Sequence, residues 1–375
     1  MIIKKLLRNY FSSNDHIIKN LGYSINNFGR KRALVCYLVD PYSKNIESFK
    51  YNTNRVECLL IVESLIGMGY LVDIVYCNSQ ADNCDSYDLI FGFGKAFRSA
   101  VKKNPNAKKI LYLTEAHPKI SYLYEKKRLS NFNFRYKSKC KIERSGTYYV
   151  ELDFLIVDSI LCLGDYHYNY LTDLYPNKKI EFIYPIGVVP NENILSHCYS
   201  NESLIKDILW FGSRGIIHKG LDVLIDALRD LDNIQLHVCG VEEDKLKKYI
   251  KMIPNNVVVH GVVDPKSNDF LNITSKCDYM FLPSASEGVP TSAITCMYAG
   301  LIPVITENCG TNFDGNAVII PEENIGDLRE LISKLTSSKI SFSRKKKLSE
   351  YAFSKFNVHE FSNELNRKLR KIISE

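Results

Sequence analysis

The second half of the chain alternates near-continuous apolar, β-rich runs with helical patterns, and this alternation constrains the fold more than any other feature. Strand-like runs at 207–211, 234–239, 257–260, 279–283, 302–305 and 317–319 are separated by helical patterns near 219–230, 242–252, 266–276, 291–299 and 323–337. Strands without polar alternation must be covered on both faces, and intervening helices supply the cover, so the pattern predicts a parallel sheet. The first half repeats the theme less cleanly, with strands expected at 33–39, 71–76, 88–91, 109–113, 154–162 and 180–184. Its clearest helix spans 54–68, with Val56, Leu59, Leu60, Ser64 and Ile66 near one face. At 375 residues the chain exceeds one ordinary core. The polar stretch 190–203 breaks the alternation and serves as a linker. The expected fold is therefore α/β, with two doubly wound Rossmann-like domains facing a cleft. Their boundaries fall at 1–189 and 204–355, with a helix over 356–375 packing back near the domain junction.

Two segments of the second half carry chemistry. One runs Phe281-Leu-Pro-Ser-Ala-Ser-Glu287-Gly288-Val289-Pro290-Thr291 and passes straight from a strand into a small-residue helix. It sets a carboxylate and free backbone N–H groups beside the end of a buried strand, where open α/β sheets bind phosphate-bearing ligands. Gly288 allows close backbone approach, so the amides of Gly288, Val289 and Thr291 are donors to such a ligand, while Pro290 has no N–H to offer. The other segment is Phe211-Gly212-Ser-Arg214-Gly-Ile-Ile-His-Lys219-Gly220, again a strand end entering a helix. Two cations five residues apart neutralise a diphosphate, and a carboxylate binds sugar hydroxyls, so together the segments read as a nucleotide-sugar site. The plainer readings stay open at this point. Arg214 and Lys219 could be solvated cations, and Glu287 a dipole-favourable helix cap.

Other candidates are weaker. Gly310 and Thr311 follow a further strand end. His117 stands at a strand end before Pro118, either as a structural histidine or as a site residue. Gly92-Phe-Gly94 is a lone G-x-G without the third glycine of a dinucleotide fingerprint. Asp230-Leu-Asp232 lies between a helix and the start of the next strand, as a turn rather than a metal site. The eight histidines form no ligand pattern, so no protein-held metal is expected. The eleven scattered cysteines suit reduced core thiols.

The residues resemble a known group, the retaining glycosyltransferases of the GT-B fold, family 4 type, which build bacterial polysaccharides. Arg214 through Lys219-Gly220 is similar to the family's R-x-x-x-x-K-G stretch. Pro283-Ser-Ala-Ser-Glu287-Gly288 through Ala299-Gly300-Leu-Ile-Pro303-Val304 is similar to its P-S-x-x-E-G…G-x-P-V stretch. Leu113-Thr-Glu-Ala-His117-Pro occupies the place of an N-domain histidine. The match is strong over 205–325 and architectural over 30–185. It implies a hexosyltransferase with His117, Arg214, Lys219 and Glu287 as catalytic residues. Gly212, Gly288, Val289, Thr291, Thr295, Gly310 and Thr311 join the donor contacts. The donor is a nucleoside diphosphate sugar, no cofactor or metal is required, and the acceptor is a glycan or lipid-linked glycan. Two departures are visible. Thr295 stands where the family places a second glutamate that binds the nucleotide ribose, and Val39-Asp40-Pro41-Tyr42 replaces the usual Gly-Gly loop.

Charge adds a further expectation. The surplus of 49 Lys and Arg over 42 Asp and Glu is concentrated between residues 124 and 144. There Lys126, Lys127, Arg128, Arg135, Lys137, Lys139, Lys141 and Arg144 are interleaved with aromatic residues. Residues 2–11 set Ile2, Ile3, Leu6, Leu7, Tyr10 and Phe11 opposite Lys4, Lys5 and Arg8 at helical spacing. These stretches suit an acceptor-side patch in peripheral contact with an anionic membrane, and a cytoplasmic protein working at its inner face; the plainer alternatives are a solvated loop at 124–144 and a helix at 2–11 that packs on the domain beside it. Nucleic acid is not an expected partner, because the remainder of the chain is nearly neutral. Two rival functions remain: a nucleotide-sugar epimerase, and a catalytically silent glycan- or lipid-binding protein on the same scaffold.

Overall fold

The computed structural model describes residues 17–23, 30–43, 52–80, 86–190, 206–320 and 324–374. The amphipathic stretch 2–11 and nearly all of the expected linker, 191–203, lie outside the described residues. The chain divides into two compact units. One comprises residues 1–118, 145–185 and 358–375, the other 119–144 and 186–357. In this division 119–144, read from the sequence as part of the first domain, groups with the second unit, and the C-terminal helix groups with the first.

The first unit is built on a seven-stranded sheet. Its strands are β1 (Ile17–Leu21), β2 (Arg32–Tyr37), β3 (Leu71–Tyr76), β4 (Leu89–Gly92), β5 (Lys108–Leu113), β6 (Ser159–Leu163) and β7 (Lys179–Ile183). They lie in the order β1-β3-β2-β4-β5-β6-β7, all parallel except β1 on the edge. Leu34, Val35, Phe91, Leu111 and Leu161 are fully buried, as expected of strands covered on both faces. The unforeseen β1 is held partly by a buried acid. Asp73 on β3 accepts bonds from the Asn20 amide, the Arg32 guanidinium and the Tyr87 hydroxyl. An aspartate is a poor strand signal, so nothing in the sequence announced this anchor.

Two local expectations are corrected. The strand read over 154–162 is a short helix, Glu151–Ile156, followed by β6. Asp153 accepts the Val150 amide at 2.9 Å and pairs with Arg98, so the helix start is fixed by a side chain rather than by apolar content. The helix Thr53–Gly67 buries Cys58, Ile61, Val62 and Leu65, whereas Val56, Leu59, Leu60 and Ile66 are only half-buried. Apolar residues lie on most sides of this helix, so periodicity could not choose its face. The C-terminal helix Val358–Ile373 packs on β7 and on the helix at 53–67 through Leu365, Leu369 and Ile372. Lys368 reaches the Glu181 carboxylate of β7 at 2.6 Å.

The second unit carries six parallel strands, β8 (Asp207–Phe211), β9 (Leu236–Cys239), β10 (Val257–Val259), β11 (Cys277–Leu282), β12 (Ile302–Thr306) and β13 (Val318–Ile320). Their order is β10-β9-β8-β11-β12-β13. The expected helices are present as Leu221–Leu228, Glu243–Lys247, Asn268–Thr274, Thr291–Tyr298 and Ile325–Leu335. The strand order reverses between β8 and β11, and ligands of such sheets bind outside the carboxyl ends of the strands at that switch point.

The helix Pro118–Tyr136 was not anticipated, and from Lys119 onward it belongs to the second unit. Its Leu129 and Phe132 cluster with Ile217, flanked by Tyr136, Cys140 and Tyr249. Arg128 is fully buried and donates to the carbonyls of Ile217 and Pro283, at 3.2 and 2.7 Å. Arg135 pairs with the buried Asp222 at 2.5 Å and with Asp226 at 3.0 Å, and the Tyr136 hydroxyl donates to Asp226. Two cations of the expected surface patch, Arg128 and Arg135, are therefore internal ties of the second unit. Lys126, Lys127 and Lys137 remain exposed.

Candidate active site

The segments leaving β8 and β11 meet at the switch point through backbone contact. Gly220 has φ +70°, and a Cβ there would stand 2.1 Å from the Pro283 carbonyl oxygen, so only glycine permits this approach. Alongside it, the Ala285 amide donates to the His218 carbonyl at 2.7 Å. The His218 ring returns the contact through Nε2, 2.7 Å from the Ser286 carbonyl, which can only accept. Thr306 donates its hydroxyl to the Ser284 carbonyl at 2.6 Å, and the Glu287 amide donates to Asn308 at 2.9 Å. The turn bearing Glu287 is thus pinned from both sides of β11.

Within that frame the two sequence segments converge on one carboxylate. Lys219 Nζ lies 2.5 Å from Glu287 Oε1, and Ser284 Oγ donates to the same oxygen at 3.2 Å. Arg144 Nη1 stands 3.6 Å away from it. Burial alone would raise the Glu287 carboxyl, but Lys219 and then Arg144 outweigh it and hold the group down at about 2. Burial and the Arg144 charge push His218 down to about 4, so its ring is neutral near pH 7. At neutral pH the site therefore holds an ionised glutamate, a neutral histidine and a lysine.

The remaining predicted residues are distributed unevenly. Arg214 is exposed on the turn after β8 and forms no ion pair among the described residues. Gly212 follows β8 directly and donates its amide to Cys239 at 3.1 Å. Gly288 and Val289 are buried beside Glu287, and Thr291 opens the helix that follows Pro290. Thr295 is buried within that helix, and its hydroxyl donates to Thr291 at 2.9 Å while accepting the Val188 amide at 3.0 Å. Here the hydroxyl ties segment 186–190 to the helix, so it is already engaged where a ribose contact was expected. Gly310 adopts φ +70°, and Thr311 is buried with its hydroxyl accepting the Phe313 amide. His117, in the first unit, is fully buried; its Nε2 lies 3.0 Å from the Tyr175 hydroxyl and its ring 4.5 Å from that of Phe154. Asp230 is exposed and pairs with Arg329, in the turn before β9 and so at the amino end of the sheet, away from Glu287.

Sequence reading missed three members of the cluster. Ser284 and His218 lie inside the quoted motifs but carried no signal of their own. Arg144 is separated from Glu287 by more than a hundred residues, and only the packing of 119–144 on the second unit brings it near.

The two titrations give a pH expectation. His218 has a folded value of about 4, below its ordinary 6.5, so the folded state is disfavoured as pH falls through that window. Glu287, at about 2 instead of 4.5, adds stability that is complete above 4.5 and is lost as pH falls toward 2. Thermal melting should therefore decline from about pH 6.5 downward and more steeply below 4.5. Glu287→Gln should flatten the lower limb, and an unchanged acid profile in that variant would remove Glu287 from the account.

Residues 200–355 match the family described as Glycosyl transferases group 1. An uncharacterised glycosyltransferase of Methanocaldococcus jannaschii is 30% identical over 200 residues, which are 52% of this chain and 54% of that protein. The aligned part thus spans about half the length of that relative. Among solved structures, sucrose-phosphate synthase from Thermosynechococcus elongatus superposes with a TM-score of 0.63 at 13% identity, covering 92% of this chain and 99% of that one. HepE of Anabaena, solved in complex with UDP-glucose, gives a TM-score of 0.57 at 13% identity, covering 91% and 100%. The chain carries the GT-B fold of these structures, and its residues 200–355 are similar to the group 1 glycosyl transferases.

Proposed function

We propose that the protein transfers a hexosyl group, with retention, from a nucleoside diphosphate sugar to a glycan or lipid-linked glycan in cell-surface polysaccharide synthesis. The observation that carries this reading is the buried Lys219–Glu287 pair at the switch point of the second sheet. An incoming diphosphate competes for Lys219, while sugar hydroxyls donate to the carboxylate that Lys219 releases. As the glycosidic bond breaks, Lys219 and Arg214 stabilise the charge developing on the leaving diphosphate. The acceptor attacks on the face that the diphosphate leaves, and its proton passes to the departing phosphate oxygen. No protein nucleophile is needed for that step. HepE was solved with UDP-glucose, which supports a donor of this class for the shared fold. The position of Asp230, at the amino end of the sheet, favours a reaction without metal.

The test is incubation with UDP-, GDP- and ADP-hexoses, with and without oligosaccharide and lipid-linked acceptors. Release of nucleoside diphosphate should require acceptor and should persist in excess chelator. Sugar isomerisation without acceptor would favour an epimerase, and absence of any turnover a binding protein. Loss of transfer in chelator with rescue by Mg²⁺ would overturn the metal-independent mechanism.

The reading includes docking at the inner face of a membrane. No helix among the described residues is long and apolar enough to cross a bilayer. Instead, the outer face of the helix at 118–136 exposes Tyr122, Leu123, Lys126, Lys127 and Phe134. Each basic residue near an anionic bilayer contributes about 1 kcal/mol, fading with salt. Lys126→Glu with Lys127→Glu should weaken flotation with phosphatidylserine-containing vesicles by about tenfold or more at low salt. Wild-type protein that fails to float with these vesicles would rule out this mode of docking. Arg128, buried against the second unit, is left intact in that experiment.

A further inference from the structure

We infer that Arg144 is an additional ligand for the donor diphosphate, delivered to the second unit by the segment that follows the helix at 118–136. The inference rests on the proposed donor site and names a residue of it that neither motif contains. Arg144 is placed by a specific device. The buried Glu125 carboxylate accepts the amides of both Glu143 and Arg144 at 3.0 Å, fixing the backbone from which the guanidinium extends. That guanidinium lies 3.6 Å from Glu287 Oε1, on the same oxygen that Lys219 holds. Arg144 also lines a small cavity of about 20 Å³ with Lys141, His218, Glu125 and Glu143, and the buried His218 Nδ1 has no hydrogen-bond partner among the described residues. Arg144 and Lys219 thus bring two positive charges to one carboxylate, and Arg214 stands on the adjoining turn. Both cations converge on one carboxylate oxygen, so a diphosphate that takes Lys219 from Glu287 meets Arg144 as well. Arginine adds a planar fork suited to two phosphate oxygens, which lysine lacks.

The experiment uses the full chain and calorimetric titration with UDP, GDP and ADP, the matching monophosphates, and uridine. Wild type, Arg144→Gln, Arg144→Lys and Lys219→Ala are compared, with the melting temperature of each measured first and the titrations run well below the lowest of them. For the nucleoside diphosphate that binds wild type best, Arg144→Gln should raise Kd about tenfold or more. The effect should be much smaller for the monophosphate and absent for the nucleoside, and the salt dependence of binding should become shallower. Arg144→Lys should fall between. If diphosphate binding is weakened by Lys219→Ala yet unchanged in Arg144→Gln, the inference is overturned while the donor site stands. If wild type binds none of the three diphosphates, the donor site falls and the inference with it. If Arg144→Gln melts early, the Arg144→Lys comparison decides: equal loss for diphosphate and nucleoside would mark a merely structural residue and overturn the assignment.

Discussion

Arg128→Met is expected to destabilise the second unit by about 3–5 kcal/mol, the range for removing one partner of a buried charged contact. Arg128 is fully buried, and its guanidinium satisfies the carbonyls of Ile217 and Pro283 while lying 4.0 Å from Asp222. Methionine fills much of the same volume, so the loss is of hydrogen bonds and charge rather than of packing. Burial lifts the Asp222 carboxyl above its ordinary value, with Arg128 and Arg135 opposing, and removal of Arg128 leaves that acid to Arg135 alone. Urea unfolding followed by the fluorescence of Trp210, buried in β8, reads the change. Lys126→Met, on the exposed face of the same helix, should change stability by no more than about 0.5 kcal/mol. Equal effects of the two substitutions would show that the helix is not bound to the second unit as described.

Lys219→Ala is expected to reduce donor affinity and transfer together by about ten- to a hundredfold. A charge-assisted hydrogen bond contributes about 1.5–3 kcal/mol, and each 1.4 kcal/mol is a factor of ten. The lysine has two roles here, as the diphosphate cation and as the nearest counter-charge to Glu287. The variant should therefore also melt at a lower temperature at pH 7, because a buried carboxylate is left with Arg144 at 3.6 Å and Ser284. Glu287→Gln separates the roles, since it relieves the buried charge but still removes the acceptor for sugar hydroxyls. Transfer at the wild-type rate in Lys219→Ala would return this residue to a structural ion pair.

The second sheet was legible because its strands are short apolar runs flanked by glycine-rich turns, and β8 was read to the residue. The convergence of Lys219 and Glu287 was legible for the same reason, as both follow strands that adjoin at the switch point. What escaped was long-range pairing of charge. Arg128, Arg135 and Arg144 looked alike as members of a basic run. Acids sort them, with the distant Asp222 holding one, Glu125 of the same run placing another and the distant Glu287 receiving it. Thr295 and His117 show the converse. Each was identified by its place in a motif, but each also bonds a residue far along the chain, Val188 for Thr295 and Tyr175 for His117, which no local pattern could supply.

The grouping of 119–144 with the second unit also bears on how the chain is made. Asp222, which receives Arg135, is synthesised roughly 80 residues after Arg144, an interval of about 4–16 s at translation rates of 5–20 residues per second. During that time the nascent helix has its Phe132 and Leu129 but not yet Ile217 to cover them. The first unit must meanwhile close its sheet around the interruption, joining β5 to β6 across residues that belong elsewhere. A fragment beginning near residue 204 would lack this helix permanently, leaving Ile217 uncovered and Asp222 without both of its arginines. Such a fragment should aggregate where the full chain does not, and adding the peptide 119–144 in trans should restore its solubility.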